Sequence, residues 1–405
     1  MIKQAIKTII PKPFLSAYHK TLAILANIIY GFPSRKMIVI GITGTKGKSS
    51  TAIMITRILE EAGHAVGATN TVFFKIAGKE WPNTTKQGML GRFQLQKLLR
   101  QMANKKCTHA VIEVTSEGIL QHRQWGISFD VAVFINLSPE HIESHGSYEN
   151  YRAAKHVIFK SLRHSYRKTF NNTPVKKIIV ANADDPESAS ILAYSADQSI
   201  AAKDTGDALN LKLAGAFMRQ NAVLALATSQ ALGIPAQTAI QALEKIKIIP
   251  GRAEIIKTKN NITIVIDYAH EPRSFAAIHQ TGRELSHNNN VISLFGATGG
   301  GRDKAKRPEM GAIAAEHADI IILTSDDPYD EKPEDIIQDI MPGITKTSPS
   351  FIHDTNLFSI PDRAQAIKKA LALAKPNDVV LLLGKGSEQI MAVAHNKTIP
   401  WSDRA

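Results

Sequence analysis

Gly41-Ile42-Thr43-Gly44-Thr45-Lys46-Gly47-Lys48-Ser49-Ser50-Thr51 is the stretch around which the chain is organised. The apolar run Met37-Ile38-Val39-Ile40 before it reads as a strand, and Ile53, Ile55, Ile58 and Leu59 after it make a helical pattern. A strand, a glycine loop and a helix in that order form a phosphate cradle. Glycines let backbone N–H groups close around phosphate oxygens, and the helix N-terminus favours negative charge. Lys48 then reaches the terminal phosphates and the Ser49 hydroxyl holds a magnesium ion. The spacing is G-x-x-G-x-x-G-K-S. The commoner loop has a glycine five residues before Gly47, where Ile42 stands; here it sits one residue earlier, at Gly41.

A chain of 405 residues holds two or three domains. Its content, 44% hydrophobic and 21% charged, is that of an ordinary globular protein. The formal charge of +13 favours anionic ligands, but no nucleic-acid fold motif occurs and aromatics do not interleave with the basic residues. Nucleic acid is therefore not an expected partner. Cys107 is the only cysteine, which excludes a disulfide framework and suits a reducing cytoplasm. In the first 36 residues Lys3, Lys7, Lys12 and Lys20 precede an apolar run from Leu22 to Tyr30. The run is too short to span a bilayer and no small-residue cleavage site follows it. One or two amphipathic helices packed on the next domain are expected, with a basic helix lying on a membrane face as the alternative.

From Met37 onward strand-like runs alternate with helical patterns, the signature of a mainly parallel sheet covered by helices. Thr84 and Thr85 lie in a polar stretch and by themselves read as caps of the helix that follows. His109-Ala110-Val111-Ile112 delivers Glu113 at a strand end, a place for a magnesium-binding carboxylate or for an acid simply facing water. After Val131–Ile135 comes Asn136-Leu137-Ser138-Pro139-Glu140-His141-Ile142-Glu143-Ser144-His145-Gly146. Two histidines and two acids there suit metal or anion chemistry, or a polar surface loop. Tyr151-Arg152-Ala153-Ala154-Lys155 begins a helix, on which a lysine is ordinarily a solvated charge. The composition breaks at Ile249-Pro250-Gly251-Arg252, where a second domain is expected to begin. Its strands end in Asp267-Tyr268-Ala269-His270, Gly299-Gly300-Gly301-Arg302-Asp303-Lys304, Thr324-Ser325-Asp326-Asp327-Pro328 and Gly384-Lys385-Gly386-Ser387-Glu388. Open parallel sheets bind ligands at such ends.

These stretches together resemble the Mur ligase family, the ATP-dependent amide-forming ligases of peptidoglycan synthesis. The resemblance runs from about Met37 to Ala405 and is most specific in G-I-T-G-T-K-G-K-S-S, N-L-S-P-E-H-I-E-S-H-G, Y-R-A-A-K-H-V-I-F, G-R-A-E, D-Y-A-H, G-G-G-R-D-K-A-K-R and G-K-G-S-E. Within the family it points to the members that add diaminopimelate or lysine to UDP-N-acetylmuramoyl-L-alanyl-D-glutamate. It implies an α/β chain: a short N-terminal helical segment (1–36), a P-loop, mainly parallel central ATPase domain (37–248) and a C-terminal Rossmann-like domain (249–405). It also implies ATP phosphates on Gly44, Thr45, Lys46, Gly47, Lys48, Ser49 and Ser50, adenine on Asn221, γ-phosphate on Arg252 and ribose on Asp267. One magnesium falls to Ser49 and Glu113, and a second to His141 with Lys155, carbamylated so that it offers an oxygen ligand. Thr84, Thr85, Thr115, Gln121 and Arg123 match the muramoyl-peptide positions. His270, Arg302, Asp326, Asp327, Gly384 and Glu388 match the substrate positions of the C-terminal domain, chiefly the pocket for the incoming amino acid.

The implied reaction has two steps. The acceptor carboxylate attacks the γ-phosphate to give an acyl phosphate and ADP, and the incoming amine then displaces phosphate. Lys48, Lys155, His141 and Arg252 are the expected catalytic groups, in a monomeric cytoplasmic enzyme. Three features depart from the family pattern. Only the short helical segment precedes the loop, where the family has a separate UDP-binding domain. Asp326-Asp327-Pro328-Tyr329 lacks the arginine that ends the D-N-P motif of diaminopimelate-adding members, and Ser387 replaces the histidine of G-K-G-H-E. A ligase of the same fold acting on another carboxylate, folylpolyglutamate-like or membrane-associated, and a non-catalytic nucleotide-binding protein are the alternatives.

Overall fold

The structure, a computed structural model, describes residues 12–140, 145–170, 172–206, 209–301 and 304–405. The described chain divides into two compact units, 1–210 with 219–245 and 211–218 with 246–405.

The first unit is built on an eight-stranded sheet. Its spatial order is Gln198–Ala202, Ile178–Asn182, Val131–Phe134, Ile38–Thr43, His109–Glu113, Val66–Thr69, Phe73–Ile76 and Lys79–Pro82. The first six strands are parallel and the last two antiparallel. The inner strands are continuous apolar runs, as expected where both faces are covered. Ile38–Thr43 lies at the centre with Ile42 opposite Glu113 and Thr43 opposite Phe134, so the glycine loop, Glu113 and Asn136 leave one sheet edge together. The antiparallel extension from Phe73 to Pro82 goes beyond the parallel sheet expected from sequence.

The helix Tyr148–Leu162 starts three residues before the expected Tyr151, because Ser147 caps it by accepting from Asn150 N at 3.2 Å. Its buried face presents Tyr151, Ala154, Ile158, Phe159 and Leu162 to the sheet, each large apolar side chain contributing about 1.5–3 kcal/mol. At the opposite sheet edge Asp130 is fully buried between two buried lysines. Lys168 Nζ donates to Asp130, to Met37 O at 2.8 Å and to Ser128 O at 2.6 Å. Lys177 Nζ donates to Asp130 Oδ1 at 3.0 Å, Phe129 O at 2.7 Å and Tyr166 O at 3.0 Å. Each ammonium is thus hydrogen-bonded throughout, the condition under which a buried charge is tolerated.

The helix Lys12–Ile29 packs on this unit through Ala23, Ala26 and Asn27. Asn27 Nδ2 donates to Trp125 O at 2.9 Å, and Ser16 Oγ lies 2.8 Å from His122 Nε2. No helix among the described residues is long and apolar enough to cross a membrane.

The second unit has a six-stranded sheet in the order Glu254–Lys257, Thr263–Asp267, Val379–Leu383, Val291–Phe295, Ile320–Leu323, Leu357–Ser359. Only the first pair is antiparallel. Asp267 stands opposite Leu383 and Phe295 opposite Leu323, so the polar strand ends leave one edge.

Candidate active site

The glycine loop is held from the neighbouring strand. Asn136 accepts the Thr45 N–H at its backbone oxygen (2.9 Å), and its Oδ1 accepts those of Thr45 (3.0 Å) and Lys46 (2.9 Å). Thr45 Oγ1 lies 2.9 Å from the Tyr151 hydroxyl. Gly47 has φ +83°, and a Cβ there would stand 2.3 Å from Asn221 Oδ1, so only glycine fits. The helix Lys48–Glu61 begins directly after it with no side-chain cap, and the first N–H groups of a helix face outward to whatever anion approaches.

Gly41 has a different reason. It lies inside the Ile38–Thr43 strand, and a Cβ there would meet Ile158 Cδ1 at 2.4 Å and Phe129 Cε1 at 2.7 Å. Core packing requires this glycine, not phosphate geometry. This corrects the sequence reading, in which all three spaced glycines serve the cradle.

Lys48 lies across the loop, with Nζ donating to Gly44 O (3.1 Å) and Thr45 O (2.9 Å). Ser49 Oγ donates to Glu113 Oε2 at 2.8 Å. Glu113 is buried, which overturns the water-facing alternative, and it also accepts from Thr71 N at 2.9 Å and Thr71 Oγ1 at 3.1 Å. Sequence reasoning passed over Thr71, although it follows the end of the Val66–Thr69 strand on the same edge. Nothing in the local sequence marks Asn136 for its hold on the loop.

Lys155 is only 2% exposed, so it is not the solvated charge its helix suggested. Its Nζ donates to Gly44 O at 2.6 Å and sits 4.5 Å from the centre of the Tyr151 ring. Burial first, and then the Lys48 ammonium, hold its pKa well below the usual lysine range. Lys46 pairs with Glu140 at 2.8 Å. His141 and Glu143 lie outside the described residues. His145 is buried, its ring edge-on to Tyr151 at 5.2 Å.

Beside Glu113 a second group assembles. Arg123 donates to Gln121 Oε1 from Nη2 (2.9 Å) and Nε (3.2 Å), to Gln87 Oε1 (3.2 Å) and to Met89 O. Thr115 Oγ1 accepts from Gly118 N at 3.1 Å. A Cβ at Gly88 would lie 2.9 Å from Thr71 Oγ1, 3.0 Å from Glu113 Oε1 and 3.0 Å from Thr115 Cγ2, so these three close on one point. Thr84 and Thr85 are exposed, and Thr85 Oγ1 donates to Asn83 Oδ1 at 2.7 Å. Neither caps the helix Arg92–Asn104, whose cap residue is Gly91; the capping alternative does not hold.

In the second unit Lys385 is fully buried. Its Nζ reaches Glu388 Oε2 at 2.6 Å, Asp327 Oδ1 at 2.9 Å and Asp326 Oδ1 at 3.7 Å. Burial opposes its charge, but Asp326, Glu388 and Asp327 outweigh that and raise its pKa; burial in turn raises that of Asp326. A Cβ at Gly384 would stand 2.6 Å from Asp326 Oδ2. No local pattern marks Lys385 for this role, nor Arg363, whose guanidinium holds Asp403 at 2.6 Å and Leu383 O at 2.9 Å. Asp267 accepts from Ala253 N (2.6 Å) and Ala269 N (2.7 Å), fixing the turn that carries Arg252. Arg252 stacks on Tyr268 at 4.4 Å, and His270 Nδ1 lies 2.6 Å from Tyr268 O. Arg302 lies outside the described residues.

A parallel sheet with this loop, and with a hydroxyl and a carboxylate paired at its mouth, defines a nucleotide-dependent enzyme of the P-loop type. Residues 42–229 match the Mur ligase middle domain and residues 251–386 the glutamate ligase domain of Mur ligases. The chain is 37% identical to a UDP-N-acetylmuramyl-tripeptide synthetase of Roseiflexus sp. (strain RS-1), over 98% of this chain and 83% of that protein. It is 33% identical to a UDP-N-acetylmuramoyl-L-alanyl-D-glutamate--2,6-diaminopimelate ligase of Geobacillus kaustophilus, with the same coverage. A solved structure of a UDP-N-acetylmuramoyl-L-alanyl-D-glutamate--2,6-diaminopimelate ligase aligns with TM-score 0.56 and 28% identity, over 91% of this chain and 77% of that one. Escherichia coli FolC in complex with DHPP and ADP aligns with TM-score 0.67 at 20% identity, over 93% and 95%, a likeness of fold alone. The chain belongs to the Mur ligase family, the ATP-dependent ligases that form amide bonds in peptidoglycan precursor synthesis.

Proposed function

We propose that this ligase adds an amino acid of the diaminopimelate or lysine type to a UDP-N-acetylmuramoyl-dipeptide, through an acyl phosphate. The observation that carries the reading is the convergence of Ser49, Glu113 and Lys155 on the glycine loop. The buried Ser49 hydroxyl and Glu113 carboxylate are hard oxygen donors of the kind magnesium prefers, and they fit that ion. When bound, magnesium neutralises phosphate charge. Lys48 supplies a cation for the same phosphates, and Arg123 with Gln121 and Thr115 holds the acceptor so that its carboxylate oxygen meets the γ-phosphorus. The amine of the incoming amino acid then attacks the acyl carbon, phosphate leaves with the bond electrons, and the amine gives up a proton.

Lys155 fits a carbamate. As an ammonium it would be buried beside Lys48, and burial with the Lys48 and Lys46 cations disfavours its charge more than Glu140 and Glu113 favour it. Its neutral amine attacks the carbon of CO2 and loses a proton, giving an anion with hard oxygens. His141 belongs to the same proposal, as do the roles of Asn221, Arg252 and Asp267 toward the nucleotide. The cluster of Asp326, Asp327 and Glu388 around one lysine favours an incoming amino acid with a second ammonium.

The test is ADP release across a panel of muramoyl peptides and amino acids. Release that requires both an acceptor and a diamino acid is the expected result. Absence of turnover with every pair would overturn the reading.

A further inference from the structure

The helix Lys12–Ile29 is amphipathic in an unusual sense. Its small and polar residues Ala23, Ala26 and Asn27 face the protein, and its large apolar ones face away. Phe14, Tyr18, Leu25 and Ile28 recur at helical spacing along the outer face, with Phe14 70% and Ile28 58% exposed. Ile29 beside them is equally open. Soluble helices bury such a stripe.

The charge of the N-terminal segment itself has one sign. Residues 1–36 contain Lys3, Lys7, Lys12, Lys20, Arg35 and Lys36, and the first acidic residue of the chain is Glu60. Lys20 lies 4.2 Å over the half-exposed Trp125 ring, and Arg35 lies 4.5 Å over the exposed Tyr166 ring. Apolar side chains flanked by amphipathic aromatics and cations match the layers of a bilayer interface. A second copy of the chain would bring the same cations against themselves, whereas anionic headgroups neutralise them.

We propose that the outer face of Lys12–Ile29 seats this ligase on an anionic lipid surface. The helix lies in the plane of the interface, with Phe14, Leu25 and Ile28 in the acyl boundary and Lys20 and Arg35 at the headgroups. Its inner face backs the 121–126 turn that carries Gln121 and Arg123, so the acceptor side of the first unit stands close to the membrane.

Flotation of the full chain with phosphatidylcholine vesicles, with and without phosphatidylglycerol, tests this. Binding is expected only with phosphatidylglycerol, falling at high salt and falling about tenfold or more in the Leu25→Ser/Ile28→Ser double variant. The variant should keep its thermal unfolding midpoint and its turnover on soluble substrate. Lack of vesicle binding by the wild type, or equal binding by the variant, overturns the proposal. So does a wild-type dimer that the variant dissolves while vesicles stay unbound. Partition is read without turnover, so it fails or holds independently of the ligase assignment.

Discussion

Ser49 Oγ donates to Glu113 Oε2 at 2.8 Å, joining the first turn of the helix after the glycine loop to the end of the neighbouring strand. The two residues are 64 positions apart in sequence. The parallel register that sets Ile42 opposite Glu113 brings them together. A buried hydroxyl and a buried carboxylate held this close offer two hard oxygens to one cation.

If they share magnesium, Glu113→Gln weakens the ion without emptying the space. The expected outcome is a rise in the magnesium concentration needed for half-maximal ADP release and a fall in turnover of about a hundredfold. ATP binding measured without magnesium should change little. Equal losses with and without the ion would place Glu113 outside the metal site.

Lys155→Ala should abolish turnover, and depleting bicarbonate should lower wild-type activity reversibly. Labelled bicarbonate should give a carbamate carbon resonance in the wild type that is missing from the variant. Full activity of Lys155→Ala would remove the carbamate from the mechanism.

The two glycines of the opening stretch should separate cleanly. Gly41→Ala forces a methyl into Ile158 and Phe129 and should cost about 1–3 kcal/mol of stability, read by urea unfolding. Its folded fraction should bind ATP normally. Gly47→Ala meets both a left-handed backbone and Asn221, and should lose ATP affinity as well.

Lys168 offers a pH signature. Burial, opposed by Asp130, lowers its pKa to about 8. Between that value and the unfolded value of about 10.4 the unfolded chain binds the extra proton, so this group makes stability rise with pH, by at most about 1.4 kcal/mol per unit. The contribution is complete above the unfolded value and is lost as pH falls through the folded one. Lys168→Met should remove that slope from urea unfolding measured across the window. An unchanged slope would show that Lys168 keeps its proton.

The strand–loop–helix core and the strand ends of both sheets were legible because each is local. An apolar run stops, and a polar motif follows. Glu113, Asp267 and Asp326 were found in this way. Thr71 escaped because its partner is 42 residues away and nothing in its own neighbourhood marks it. Only the family resemblance singled out Lys155, since helical spacing alone makes it a surface charge. The cluster of Asp130, Lys168 and Lys177 joins residues up to 47 positions apart, and no periodicity encodes it. The reason for Gly41 was hidden for the same cause. Phe129 and Ile158, which forbid a side chain there, arrive from distant segments.

The hold of Asn136 on the loop has a consequence for how nucleotide is gripped. Two of the amides that a glycine loop could turn toward phosphate, those of Thr45 and Lys46, already belong to Asn136. If the loop holds ATP as proposed, the phosphates fall to the turn at Gly47, the opening amides of the helix and the Lys48 ammonium. Such a grip would be set before any ligand arrives and would lean on few donors. Discrimination among nucleotides would then rest on charge and metal more than on a wrapping backbone, and the segment after the Val131–Phe134 strand would be a remote handle on ATP affinity.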